Sequence, residues 1–232
     1  MRRHSRGVLP ENELLPAKIR RAEQLDPARV IEVLERFVSD ERRERLKEIL
    51  SKRLDSVSVL FDAPHDPHNG AAVIRSAEAF GVQTIHVVER REQFLAAGTV
   101  SRSAEKWVDV MAHADSESAL KALRAKGMML VGAHPNGKLC PSDLGKIPKV
   151  AIVLGNERDG IAEDLSRACD DFVRVPMRGF IESLNVSVTA AILLHAATSD
   201  RQGDLSPKDR ERLYARGLYF TVQRADEILT ES

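Results

Sequence analysis

The 232-residue chain is predicted to be an α/β protein, a parallel sheet with helices on both faces. Three observations predict it. Short apolar runs alternate with stretches of helical periodicity, the pattern of strands joined by crossover helices. Three of those runs end in a Gly- or Pro-marked turn that opens directly into a helix. There is no Gly-x-Gly-x-x-Gly fingerprint after the first strand, where His65-Asp66-Pro67-His68-Asn69-Gly70 stands instead, so the dinucleotide-binding variant of this class is excluded.

The elements follow in order. Strands are expected at Val57–Phe61, Thr84–Val88, Met128–Ala133, Val150–Leu154 and Phe172–Val175. Each is rich in β-branched or other apolar residues, as strands covered on both faces are. Helices are expected at Asn69–Phe80, Ser116–Lys126, Ala162–Ala168 and Ser183–Ala197. Together they form a core over residues 55–201. Residues 1–54 read as a helical N-terminal extension: Val30, Val33, Leu34 and Phe37 recur at helical spacing after Asp26-Pro27, and a second helix spans Glu41–Lys52. Residues 202–232 read as a helical C-terminal extension, with helices at Pro207–Gly217 and Val222–Leu229.

Composition narrows the function classes. Lys plus Arg and Asp plus Glu both number 35, so net charge is zero and distribution matters more than the sum. Arg42-Arg43-Glu44-Arg45-Leu46-Lys47 and Lys52-Arg53 weight the helix ahead of the core toward positive charge, as for phosphate contact. Aromatics are too few for a single-strand stacking platform. Cys140 and Cys169 lack metal-ligand spacing, and a reduced cytoplasmic setting fits them. The basic start Met1–Gly7 lacks the apolar core of a signal peptide, and no apolar run is long enough to span a membrane. No metal site is expected: His65 and His68 are separated by a proline and have no third ligand.

The three turns carry the chemistry. Phe61–Gly70 leads into a helix bearing Arg75; Val150–Leu154 ends in Gly155-Asn156-Glu157-Arg158-Asp159-Gly160; Val175-Pro176 leads through Gly179 to Ser183-Leu184-Asn185-Val186-Ser187. In a parallel sheet all three fall at the carboxyl edge, where open α/β folds bind ligands. These motifs, an Asn followed six residues later by Arg (Asn69, Arg75), a Gly-x-Glu-x-x-Gly loop and a Pro…Ser-Leu-Asn-Val-Ser block, resemble the TrmH family of the SPOUT superfamily. Lys106-Trp107-Val108 is a further likeness, and the resemblance runs from about Glu41 to Arg201.

That resemblance implies an S-adenosyl-L-methionine (AdoMet)-dependent RNA 2′-O-ribose methyltransferase, most like the enzymes acting on guanosine 18 of tRNA. It also implies a C-terminal trefoil knot and a homodimer. Residue by residue it implies Arg75, Asn69, Ser183, Asn185 and Glu157 as catalytic, and Ala133, Gly155, Val175 and Leu184 around the cofactor. Arg42, Arg45, Arg53, His68 and Arg201 match RNA-contacting positions. Two roles stay open for Arg75. A guanidinium titrates above about 12, so service as a general base needs a lowered pKa; a charged Arg75 would hold a phosphate and stabilise the developing alkoxide, and this second role is favoured. Asn69 is expected to orient Arg75 or to cap its helix, and Ser183 to cap the next helix or to act in catalysis. One departure bears on substrate choice: Ser199-Asp200-Arg201 keeps only the second of an arginine pair found in tRNA-specific relatives. Ribosomal RNA, another tRNA nucleotide, and a non-catalytic RNA-binding role are the alternatives.

Overall fold

The structure, a computed structural model, describes residues 17–64, 66–89, 104–156 and 158–231. Six parallel strands form one sheet in the order β3-β2-β1-β5-β4-β6. They are β1 (Leu54–Asp62), β2 (Val82–Val88), β3 (Asp109–His113), β4 (Met129–Ala133), β5 (Val150–Leu154) and β6 (Asp171–Val173). The helices are α1 (Ala17–Gln24), α2 (Pro27–Leu34), α3 (Asp40–Ser51), α4 (Pro67–Ala79), α5 (Ser116–Ala125), α6 (Glu163–Ala168), α7 (Val186–Thr198), α8 (Pro207–Thr221) and α9 (Ala225–Glu231). The predicted α/β class and parallel sheet are what is found, with one further strand. β3 was not expected; it is short and opens on a charged residue, and its pairing with β2 (Thr84 with Asp109 through Val88 with His113) makes it a strand.

Two apolar layers sandwich the sheet. One face buries Val57, Val59, Phe61, Ile152 and Leu154 against α4 and α7; the other buries Leu60, Leu130, Ala151 and Val153 against α5 and α6. Alternate residues of β1 and β5 thus serve opposite layers, which is why both strands read as continuous apolar runs. The terminal segments, expected as separate extensions, share a third core. Val30, Leu34, Leu46 and Leu50 pack with Leu213, Leu218, Tyr219 and Leu229.

An ion-pair cluster ties this helical layer to the sheet. Asp109 at the head of β3 accepts from Arg212 Nη2 at 2.6 Å and pairs with Arg216, while Glu23 of α1 holds Arg212 at 2.9 Å and Arg216 at 2.6 Å. Burial opposes ionisation of Asp109, yet the Arg216 and Arg212 guanidiniums outweigh it and hold the carboxyl at about 2. A depressed carboxyl stabilises the fold above its unfolded value of about 3.9, and that contribution is lost as pH falls toward about 2. Asp109→Ala leaves the buried Arg216 and the half-buried Arg212 with Glu23 as their remaining partner, and is expected to cost about 3 kcal/mol in urea unfolding at pH 7. The loss should shrink between pH 4 and 2, as the wild-type carboxyl is itself protonated.

Candidate active site

The strand order reverses between β1 and β5, so the carboxyl ends of the central strands border a crevice. A cleft of about 640 Å³, in the range of cofactor sites, lies beside that reversal at the carboxyl ends of β5, β4 and β6. Its walls come mainly from three chain segments: the end of β4 (Ala133, His134), the loop after β5 (Gly155, Asn156, Asp159, Gly160, Ile161) and the segment joining β6 to α7 (Val175, Met177 and residues 182–186). All four residues expected around a cofactor, Ala133, Gly155, Val175 and Leu184, line it together.

Local chemistry explains the shape. After β5 the chain doubles back: Asn156 and Gly160 exchange backbone hydrogen bonds at 3.0 and 3.2 Å, and Asn156 Oδ1 accepts from the amides of Arg158 and Asp159. Gly160 has φ +70°, a conformation that suits glycine. A Cβ on Gly155 would stand 2.0 Å from the Gly160 carbonyl carbon, so only glycine permits this closure. Asp62, fully buried at the end of β1, accepts from the Ala162 amide at 2.8 Å and anchors the far end of the loop.

On the opposite wall Asn185 caps α7, its Oδ1 accepting from the Ser187 amide at 2.8 Å, while its Nδ2 donates to Asn69 Oδ1 at 3.0 Å. One bond thus joins the first turn of α4 to the start of α7 at the rim of the cleft. The helix begins at Val186, so Ser183 is not its cap; Ser183 lies in the preceding loop and lines the cleft. Asp66 caps α4, with Pro67 at its first turn, so Asn69 is not the cap and its Oδ1 accepts from Asn185. Asn185→Ala is expected to cost about 1 kcal/mol as a lost cap; thermal unfolding checks this.

Arg75 lies two turns further along α4, exposed, and lines no part of the cleft. It makes no hydrogen bond or ion pair among the described residues, so the expected orientation by Asn69 is not seen. His68, seven residues earlier and also exposed, shares the same helical face. Glu157 and His65 lie outside the described residues.

Two expected RNA contacts need correction. Arg53 is 2 % exposed; its Nη2 donates to the Val82 carbonyl at 3.0 Å and its Nη1 lies 3.8 Å from Glu78. Arg201 is half-buried and donates to the carbonyls of Ala197, Pro148 and Leu144 at 2.7–3.1 Å and to Ser56 Oγ at 3.2 Å. It staples the end of α7 to the loop before β5. Basic residue type alone gives no sign of such burial. Arg42 and Arg45 on α3 do reach the surface.

Electrostatics adds what residue types had not shown. Among the described residues the cleft is lined by two carboxylates, Asp159 and Glu182, and by no lysine or arginine. Its apolar wall includes Leu154, Ile161, Phe172 and Leu184. A site of this sign favours a cationic ligand with a flat apolar part. Asp159 and Glu182 were legible only as loop residues; the signal was their sign, inside motifs otherwise read for glycine and asparagine. Nearby Cys169 is pushed up to about 11 by burial and by Asp170, which makes it an unreactive thiol.

The SpoU rRNA Methylase family model matches residues 56–195, more than half of the chain. The chain belongs to the SpoU rRNA Methylase family. Among SpoU proteins, the tRNA (guanosine(18)-2'-O)-methyltransferase of Escherichia coli K12 is 30% identical over 162 residues, 69% of this chain and 71% of that one. The SpoU methyltransferase AviRb from Streptomyces viridochromogenes, solved in complex with AdoMet, is 27% identical with a TM-score of 0.55, covering 66% of this chain and 60% of its own. The A. aeolicus TrmH/SpoU tRNA modifying enzyme, 24% identical, shares the fold with a TM-score of 0.65 over 80% of this chain and 98% of its own. Membership makes this SpoU chain a methyltransferase, and among the described residues no helix is long and apolar enough to cross a membrane.

Proposed function

We propose that this protein methylates the 2′-hydroxyl of guanosine 18 in tRNA, using AdoMet held in the cleft at the carboxyl edge of the sheet. The observation that carries the reading is the sign of that cleft, two carboxylates and no cationic side chain among the described lining residues, beside an Asn69–Asn185 bridge. The lining fits the cofactor: Val175 and Leu184 flank an apolar slot, the Gly155 loop brings main-chain groups close, and Asp159 and Glu182 complement a sulfonium and an amine.

Bound AdoMet supplies a methyl carbon activated by its positive sulfur. The protein's residues do the rest. Asn69 and Asn185 hold the rim where the ribose enters, and the loop around Ser183 shields the cleft from water. Arg75, whose side chain has no partner among the described residues, binds a phosphate of the RNA and stabilises the oxygen as its proton passes to a solvent water. Transfer would form the ribose C–O bond as the sulfonium C–S bond breaks, with S-adenosylhomocysteine as the leaving group.

A homodimer and a trefoil knot belong to the same proposal. Phe180 and Ile181, 107 % and 62 % exposed, offer apolar surface beside α7 for a second copy. For the knot, support comes from the chain after β4 pairing Leu139 with Val173 alongside β6.

Nucleotide-resolved mass spectrometry of tRNA and ribosomal RNA incubated with protein and AdoMet tests the substrate. A single 2′-O-methyl at guanosine 18 is expected. Methylation confined to ribosomal RNA or another tRNA nucleotide would move the substrate and keep the chemistry; RNA retained without methylation would remove the chemistry.

A further inference from the structure

A second cavity, of about 220 Å³, lies at the opposite, amino-terminal edge of the sheet, between α3, α8 and the last turn of α4. Arg42, Arg45 and Ile49 of α3 form one wall, Arg53, Glu78 and Trp107 stand around it, and leucines of α3 and α8 close its floor. Three features distinguish it from an ordinary groove between helices. First, three guanidiniums face one carboxylate. Arg43, Lys47 and Lys52 on or beside α3 are each paired with an acidic residue of that helix, whereas Arg42 and Arg45 make no hydrogen bond or ion pair with their side chains among the described residues. The cations left unpaired are those that line the cavity.

Second, the buried Arg53 is under-compensated. Burial depresses its ionisation; Glu78, 3.8 Å away, and Asp109 oppose that without cancelling it, and Arg216 adds to it. Its Nε finds no acceptor among the described residues. Arg53 is too buried to touch a ligand itself, and its charge adds positive potential to the cavity beneath Arg42 and Arg45. Third, an aromatic wall is present: Trp107 is half-buried, its ring edge against α8 beside Gly217. The cavity is of the order of a nucleobase rather than of a whole cofactor.

Position supplies the occupant. Glu78 lies one turn from Arg75 on α4, about 4.5 Å along the helix axis. A strand whose phosphate rests on Arg75 therefore passes the mouth of the cavity. We propose that this cavity takes one unstacked nucleotide of the RNA, near the methylated one, with its base against Trp107 and its phosphate on Arg42 and Arg45. The inference rests on the RNA-methylating reading above, and it assigns a site for RNA that no cofactor-cleft residue shares.

Trp107 is the sole tryptophan of the chain, so its fluorescence reports on this cavity directly. Binding of tRNA is expected to quench it. Uridine 5′-monophosphate alone should do the same with the cofactor cleft filled by S-adenosylhomocysteine. In Arg42→Gln/Arg45→Gln, with Arg45 exposed and Arg42 half-buried on α3, the quench is expected to vanish. The KM for tRNA should rise about tenfold, the scale of one base–aromatic stack, with AdoMet affinity kept. Unchanged emission on saturation with a tRNA that the enzyme methylates overturns the cavity assignment while leaving the methyltransferase reading intact. So does a quench that persists in the double variant, or one produced by the mononucleotide and not by tRNA. Quenching by tRNA and mononucleotide in a protein that methylates no RNA would support the cavity and sink the methyltransferase reading.

Discussion

Arg75→Ala is expected to lower methyl transfer by about 10³-fold, the scale of removing one preorganised donor to a developing oxyanion. AdoMet affinity should stay within about twofold, because Arg75 lines no part of the cofactor cleft. The exposed side chain has no partner among the described residues, so its loss strands no buried group. Stability should change by no more than about 0.5 kcal/mol. Single-turnover transfer with labelled AdoMet, beside calorimetric titration of the cofactor, separates the two quantities. Arg75→Lys refines the role. A lysine keeps the charge and not the planar fork, so partial recovery points to a charge that steadies phosphate and alkoxide. Parallel loss of cofactor binding in Arg75→Ala would make the residue structural.

The second large effect belongs to the loop after β5. Gly155→Ala places a methyl 2.0 Å from the Gly160 carbonyl carbon, and backbone rather than a flexible side chain must give way. The doubled-back loop opens, the cleft loses a wall, and cofactor affinity is expected to fall by about 100-fold, the scale of a 1 Å misplacement. Overpacking should also cost about 1–3 kcal/mol in urea unfolding. Leu184→Arg distinguishes a lost site from a damaged fold. Leu184 lies on the loop ahead of α7, half-exposed, where a longer side chain can reach solvent. There a cation would repel a sulfonium while the helix cap at Asn185 stays in place. Both variants should bind AdoMet far more weakly, and only Gly155→Ala should unfold more easily.

Much of this fold was legible because its central strands are covered on both sides. Val150–Leu154 is apolar at every position, and it lies between β1 and β4 with every residue buried. Asp109–His113 escaped notice for the converse reason: its head is a carboxylate whose meaning is its pairing with Arg212 and Arg216, more than a hundred residues away. The same long range hid the shared core of the two termini, since the apolar stripe of α2 shows that something covers it and does not say that α8 and α9 do.

The candidate site divides similarly. The loops that carry Gly155, Val175 and Leu184 were readable from turn chemistry, because a strand ending in glycine or proline ahead of a helix restricts what the backbone can do; the family resemblance picked out the residues within them. Asn185 was readable as part of a motif, but not as the cap, since Ser183 had equal claim by residue type. Arg53 and Arg201 were misread because an arginine that binds phosphate and one that collects carbonyl oxygens carry the same letter. Only burial separates them.

The central claim is that the cleft between the ends of β4, β5 and β6 and the start of α7 is the cofactor site of an RNA ribose methyltransferase. A crystal structure with S-adenosylhomocysteine tests it most directly. The ligand is predicted to lie with its purine between Val175 and Leu184, against the Gly155–Gly160 loop, and its amine toward Asp159 or Glu182. Density for the ligand elsewhere, or that cleft filled by the protein's own side chains, would contradict the account.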